Sequence, residues 1–298
     1  MEATKRFDSV TQYNDHMGVE TLHPLVSVID FDVLESIQHV KRYMGIYAVF
    51  LKNIKCGNMR YGCEHYDYEE GTLVFVSPGQ VYGIEDNGAF IKPSGKALVF
   101  HSDMIHGTAL GQNMKNYTFF SYEVNEALHL SKRERSVIID CFDRIAFELE
   151  RDIDNHSKTL IVSYIELLLN HAMRFYDRQF ITRKHVNTGI LGRFEKLMDE
   201  YYSSKEPQVM GLPSVGYCAD RLHLSANYFG DLVKKETGKT AQEYIQVKVI
   251  DQAKGRILDY SKSISEISYE LGFKYPSHFT RLFKQKTGQT PNEYRMMN

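Results

Sequence analysis

Two passages in the last third of the chain carry the same residues. Lys234-Lys235-Glu236-Thr237-Gly238-Lys239-Thr240-Ala241-Gln242-Glu243-Tyr244 aligns with Lys284-Gln285-Lys286-Thr287-Gly288-Gln289-Thr290-Pro291-Asn292-Glu293-Tyr294, with six identities at one offset of fifty. A polar, non-repetitive stretch does not match itself in this way by chance. The C-terminal part of the chain therefore holds one structural unit in two copies.

Each copy has the same local physics. Gly238 and Gly288 follow amphipathic runs and suit the left-handed conformation that closes a helix. Thr240 with Glu243, and Thr290 with Glu293, have capping-box spacing, and Pro291 falls where a first helical residue needs no N–H. Upstream, Ile264, Ile267 and Leu271 share a helical face behind another box, Ser263 with Glu266, and Gly272-Phe273 breaks the run before Phe279, Leu282 and Phe283. Val215, Cys218, Ala219 and Leu222, then His223-Leu224-Ser225, then Phe229, Leu232 and Val233 repeat that order. This is a helix-turn-helix pattern, present twice. Between the copies, Thr240 to about Tyr260 reads as one helix with Tyr244, Ile245, Val249, Ala253, Ile257 and Leu258 inward. Such a rod spans roughly 30 Å, close to the ~34 Å between successive major-groove faces of duplex DNA.

These residues resemble the DNA-binding domain of AraC-type transcriptional regulators. The matching motif is Ile264-Ser265-Glu266-Ile267-Ser268-Tyr269-Glu270-Leu271-Gly272-Phe273, then His278-Phe279-Thr280-Arg281-Leu282-Phe283-Lys284, then Thr287 to Arg295, within about residues 188–298. Lys248, where the family usually has Arg, and Pro276, where a polar residue is commoner, depart from the pattern. The resemblance implies a sequence-specific regulator that binds double-stranded DNA, forms a homodimer, answers to a small-molecule effector and meets RNA polymerase.

In a helix-turn-helix the N-terminal residues of the second helix meet base edges. In copy one these are Ser225, Ala226, Asn227, Gly230 and Asp231; in copy two, Ser277, His278 and Arg281. Arg281 suits guanine, Asn227 adenine, and Asp231 accepts from cytosine or orients a neighbour. Lys234, Lys235 and Lys284 are assigned to phosphates, which supply affinity and salt dependence but little sequence choice. The plainer alternative is that these side chains only keep helix faces solvated.

Charge agrees with this division. The net charge of −2 hides a C-terminal part from Arg183 onward with 18 Lys/Arg against 13 Asp/Glu, on an acidic remainder with 18 against 25. A length of 298 residues with 43% hydrophobic and 25% charged residues suits two cored domains. With no run of 18 apolar residues and no signal core after Met1, a cytoplasmic protein outside the membrane is expected. Cys56, Cys63, Cys141 and Cys218 form no C-x-x-C pair, and reduced thiols are expected, with Cys218 packed as a small hydrophobe.

An α+β chain is expected overall. Residues 1–130 read as an N-terminal β-barrel: Leu25–Ile29, Gly45–Leu51, Thr72–Val76, Lys96–Phe100 and Tyr117–Phe120 are β-branched or aromatic, with turns such as Ser77-Pro78-Gly79 between. Glu70 to Tyr82 resembles the second strand pair of the cupin-like jelly rolls that precede AraC-type domains. Cupin enzymes hold a metal with clustered His and Glu; here Tyr82 replaces the usual His, leaving Glu64-His65 and the isolated His101 and His106. No metal, cofactor or catalytic residue is expected, and Tyr47, Phe75, Tyr82 and Phe100 are the candidate effector-binding residues. Residues 131–180 read as two helices; Val162, Leu167 and Leu169 widen the second helix's stripe beyond one face, which fits packing within one chain or against a second chain, and the resemblance implies that the segment joins protomers. A linker at 181–189 and the DNA-binding domain at 190–298 follow. Three rival readings stay open: a metal-dependent cupin enzyme with a DNA anchor, a repair protein accepting alkyl groups on cysteine, and a constitutive regulator whose barrel only dimerises.

Overall fold

The computed structural model describes residues 5–38, 42–53, 71–82, 90–122, 126–152, 154–182 and 184–297. The chain divides into two compact units, Met1–Thr182 and Arg183–Asn298. The first is mixed α and β, the second all helical.

Strands of the N-terminal unit are β1 (Lys5–Phe7), β2 (Val26–Asp30), β3 (Ile37–Gln38), β4 (Arg42–Met44), β5 (Tyr47–Lys52), β6 (Thr72–Val76), β7 (Gln80–Tyr82), β8 (Phe90–Ile91), β9 (Gly95–Phe100) and β10 (Leu128–His129). Its helices are α1 (Val10–Met17), α2 (Ser102–Ile105), α3 (Ala109–Asn113), α4 (Lys132–Leu149) and α5 (Ser157–Thr182). Where a barrel is expected, the described strands form three sheets, ordered β10-β6-β5-β9-β2, β1-β4-β7 and β3-β8. The five-stranded sheet is antiparallel throughout.

That sheet is apolar on both faces, and side-chain alternation sorts the two. Ile29, Ala48, Phe50, Val74, Val76, Ala97 and Val99 enter one core cluster with Val10, Tyr13 and Met17 of α1 and Met44 of β4. Tyr47, Phe75 and Phe100 alternate with them and meet aromatics from the opposite side. Tyr47 stacks on Phe100 at 5.0 Å, and Phe75 lies 4.3 Å from Phe119 and 6.3 Å from Tyr176 of α5.

The aromatic run Tyr117–Phe120, expected as a strand, is instead a 3-10 turn over Thr118–Ser121. Tyr117, Phe119 and Phe120 are all buried, and a strand would send two consecutive residues to opposite faces. The turn keeps both phenyl rings on the sheet. On α5, Val162 and Leu169 are buried within their own chain, whereas Leu160 and Leu167 are 42% and 45% exposed. Arg178 fastens α5 to α4 and the sheet, donating to Glu134 at 2.8 Å and to the His129 carbonyl at 2.7 Å. Glu64-His65, Cys56 and Cys63 lie outside the described residues.

The C-terminal unit runs α6 (Lys184–Ser203), α7 (Glu206–Met210), α8 (Val215–Arg221), α9 (Ala226–Thr237), α10 (Ala241–Ile257), α11 (Ile264–Glu270), α12 (Pro276–Thr287) and α13 (Pro291–Met297). Residues read as a polar linker are helical: α5 continues to Thr182 and α6 starts at Lys184. Asn187 explains part of this, because it is fully buried and its amide donates to Glu236 of α9 at 2.9 Å. The capping boxes at Thr240, Ser263 and Thr290 all form. Gly238 and Gly288 close their helices at φ 70° and 82°.

The rod α10 is shorter than its sequence suggests. Its 17 residues span about 25 Å. Arg295 of α13 donates to the carbonyls of Ile257 at 2.6 Å and Asp259 at 3.2 Å, which ends the helix and leaves Leu258 exposed. Replacing fully buried Phe100 by Ala is expected to cost about 3–5 kcal/mol, read as a lower urea midpoint of the intact chain.

Candidate nucleic-acid interface

Burial sets the orientation of α9 and α12. In α9, Tyr228, Phe229, Leu232 and Val233 are buried, and Phe229 packs 5.4 Å from Phe194 of α6. In α12, Phe279 and Phe283 are buried and Phe283 meets Tyr294 of α13 at 5.4 Å. With those residues inward, Asn227, Gly230, Asp231 and Lys234 share the opposite stripe of α9. Ser277, His278, Arg281 and Lys284 share that of α12.

The candidate contact residues thus fall into two helical stripes. Asn227, Lys234, Lys235, Ser277, His278, Arg281 and Lys284 are exposed; Gly230 and Asp231 are half-buried. A Cβ on Gly230 would meet nothing within 4 Å, so this spot of α9 lies open to solvent. Among the described residues the Asn227 amide and the Arg281 guanidinium make no hydrogen bond or ion pair within the chain. Ser225 serves as N-cap, its hydroxyl accepting from the Tyr228 N–H at 3.2 Å.

The stripes differ in charge. At the offset of fifty, Asp231 stands where copy two has Arg281. Helix α9 carries Asp231 and Glu236 beside Lys234 and Lys235, whereas α12 carries Arg281, Lys284 and Lys286 with no acid. The turns differ too. His223 takes φ 59° in copy one where copy two has Gly272 at φ 89°, and copy two spends one more residue before its second helix, which opens on Pro276 at the first turn.

Sequence reasoning missed an open groove of about 490 Å³ against α12, lined by Leu212, Gln246, Lys274, His278, Arg281 and Gln285 among others. Gln246 comes from the rod and Leu212 from the loop after α7, so only packing brings them to Arg281. Lys248, where Arg is commoner in the family it resembles, faces α6: its ammonium donates to Glu195 at 2.6 Å, beside the Tyr244 hydroxyl at 2.9 Å.

The other predicted chemistry is placed less suggestively. Tyr47, Phe75 and Phe100 sit in the aromatic layer described above, and Tyr82 lies on β7 opposite Arg42. His101 caps α2, accepting from the Asp103 N–H at 3.2 Å. His106 is the C-cap of the same helix. Among the described residues no three His, Cys, Asp or Glu side chains form a group that could hold a metal ion. Burial pushes the Cys141 thiol up to about 11, with the Asp140 carboxylate adding to it, and the Cys218 thiol up to about 12. No described helix is long and apolar enough to cross a membrane.

Known proteins match the same region. A helix-turn-helix domain family covers residues 218–297. The C-terminal unit carries an AraC-type helix-turn-helix domain. The "Uncharacterized HTH-type transcriptional regulator YobQ" of Bacillus subtilis (strain 168) is 36% identical over 73 residues, 24% of this chain and 30% of that protein. The "Bifunctional transcriptional activator/DNA repair enzyme AdaA" of the same organism is 34% identical over 102 residues, 34% of this chain and 47% of that protein. A solved transcriptional regulator from Chromobacterium violaceum, described as containing an AraC-type DNA-binding domain, is 24% identical over 37% of this chain and 91% of its own, with a TM-score of 0.32. The chain thus spans less than half the length of the first two relatives.

The AraC-type unit has a titratable clamp of its own. Hydrogen bonds from Lys248 and then Tyr244 hold the Glu195 carboxyl below its ordinary value. A depressed carboxyl stabilises the fold above its unfolded-state value, and that contribution is lost as pH falls through the folded-state value. Glu195→Gln is therefore expected to flatten the acid limb of the stability profile, measured by thermal melts between neutral and mildly acidic pH.

Proposed function

We propose that this chain is a sequence-specific transcriptional regulator that reads double-stranded DNA with α9 and α12. The reading is carried by one observation: two copies of a helix-turn-helix each present a solvent-facing polar stripe on the second helix, at the same offset. A solvated surface would need no such repetition. In this reading Arg281 takes two acceptors of a guanine, Asn227 an adenine, and Asp231 a cytosine amino group. Ser225, Gly230, Ser277 and His278 are the further base-facing positions of this reading and restrict what fits beside them. Lys234, Lys235 and Lys284 neutralise phosphates.

The N-terminal unit, whose sheets we take as a cupin-like barrel in outline, supplies control. A small-molecule effector there would exchange ring contacts with Tyr47, Phe75 and Phe100 for its own, and Tyr82 completes the candidate set. Homodimerisation uses the outer faces of α4 and α5, where Phe147, Leu160 and Leu167 are 59%, 42% and 45% exposed in one chain. RNA polymerase is the remaining partner in this reading. No catalytic step is assigned: both described cysteines are buried with raised thiol values, the opposite of an alkyl-accepting thiolate.

Two measurements test the reading. With a duplex selected from random sequence, Arg281→Ala is expected to weaken specific binding by about 1–3 kcal/mol while nonspecific binding holds; equal loss on both reassigns Arg281 to the backbone. Sedimentation of a Leu160→Asp, Leu167→Asp double variant is expected to show monomers where the natural chain shows dimers, and an unchanged mass removes the α4–α5 interface.

A further inference from the structure

Copy two is tied to α6 and α7, which pack beside copy one, directly as well as through α10. Arg256, in the last turn of α10, lies with its guanidinium 5.9 Å from the centre of the Tyr202 ring. Nη2 donates to the Tyr202 carbonyl in the last turn of α6, and Nη1 lies 3.5 Å from the Glu270 carbonyl that ends α11. Both acceptors are helix-terminal carbonyls with no partner further along their own helix. One fixed cation therefore meets the negative ends of two helices, one packed on copy one and the other belonging to copy two.

Beside this strut the backbones cross. A Cβ on Gly272 would lie 2.5 Å from the Gly211 carbonyl oxygen and 2.8 Å from that of Pro207. Gly211 stands at φ 85°, ψ −149°, a region essentially reserved for glycine, and its carbonyl accepts from the Tyr201 hydroxyl at 2.7 Å. Copy one has no such crossing at its corresponding turn, where His223 carries a full side chain.

The strut matters because α10 alone would not fix copy two. Residues 258–261, between α10 and α11, are all exposed. A swivel there would let α12 turn relative to α9. Arg256, the glycine crossing and the grip of Arg295 on the end of α10 remove that freedom.

We infer that Arg256 is a positioning residue that, with the Gly211–Gly272 crossing, locks α9 and α12 at one separation, so that the protein accepts a single spacing between its two DNA half-sites. The inference rests on the DNA-binding reading above and adds to it. One inserted base pair moves a half-site by about 3.4 Å and turns it by about 35°. A locked pair of helices cannot follow both changes.

The test uses the full chain and its selected duplex, with one base pair inserted or deleted between half-sites, measured against the natural chain, Arg256→Lys, Arg256→Ala and Arg295→Ala. The natural chain should lose roughly tenfold or more in affinity for either altered duplex. Arg256→Ala should bind the selected duplex more weakly yet lose only about threefold or less on respacing. Arg256→Lys, with one ammonium for two acceptors, should fall between. A respacing penalty in Arg256→Ala as large as that of the natural chain overturns the inference. Should Arg256→Ala fail to fold by circular dichroism, an undiminished penalty in both Arg256→Lys and Arg295→Ala overturns it equally. Spin labels at Lys234 and Lys284 test the lock without DNA: one narrow distance that broadens in Arg256→Lys supports it, and equal widths refute it. If no duplex binds the natural chain at all, the DNA-binding reading fails, while the label distances still decide the lock.

Discussion

Neither copy of the repeat can bury its own apolar face, and both spend that face on α10. A helix of 17 residues with Ile245, Val249, Ile250, Ala253 and Ile257 buried has to be covered from more than one side. Helices α6, α8 and α9 cover it for copy one, and α11, α12 and α13 for copy two. Sharing a rod lets each small unit reach an apolar burial it would not reach alone. It also fixes what remains outside: once Phe229 and Phe279 point inward, the stripes of Asn227 and Arg281 are what solvent meets.

Polar contacts then convert shared burial into a defined geometry. Glu195 joins α6 to Lys248 and Tyr244 near the start of the rod, and Arg256 and Arg295 close its other end on carbonyls of α6, α11 and the turn after α10. Apolar packing is tolerant of small rotations, whereas a guanidinium fork on two carbonyls is not. In the inferred lock these few charged hydrogen bonds set the orientation of the two second helices, and the shared core supplies the burial.

The N-terminal unit solves a different problem. Its central sheet is apolar on both faces and needs two covers, which α1 with β4 and the α4–α5 pair with the Thr118–Ser121 turn provide. Phe119 and Tyr176 meet Phe75, and Phe120 meets Tyr47 where it stacks on Phe100, so Tyr47, Phe75 and Phe100 belong to the seam between sheet and helices. Readable from composition was that these residues are apolar strand positions. Which face each one takes follows from its neighbours two residues away, and what covers that face follows from the Thr118–Ser121 turn and from α4 and α5, all further along the chain.

Local signals were legible wherever a backbone group must be satisfied within a few residues. The three capping boxes, the closing glycines and the inward stripes of α9 and α12 were readable because hydrogen-bond distance and helical period tie them to sequence spacing alone. Distance in sequence hid the rest. Tyr117–Phe120 reads as strand by composition, and becomes a 3-10 turn because two adjacent rings find partners on one side. A polar, basic stretch around Asn187 reads as linker, and becomes helix because Glu236 accepts from its buried amide. The sequence by itself determined the repeat, its helix boundaries to within a few residues and the polar stripes it displays; tertiary structure alone decided the end of the rod, the face of the aromatic layer and the glycine crossing, because those depend on groups the chain brings together only after it has folded.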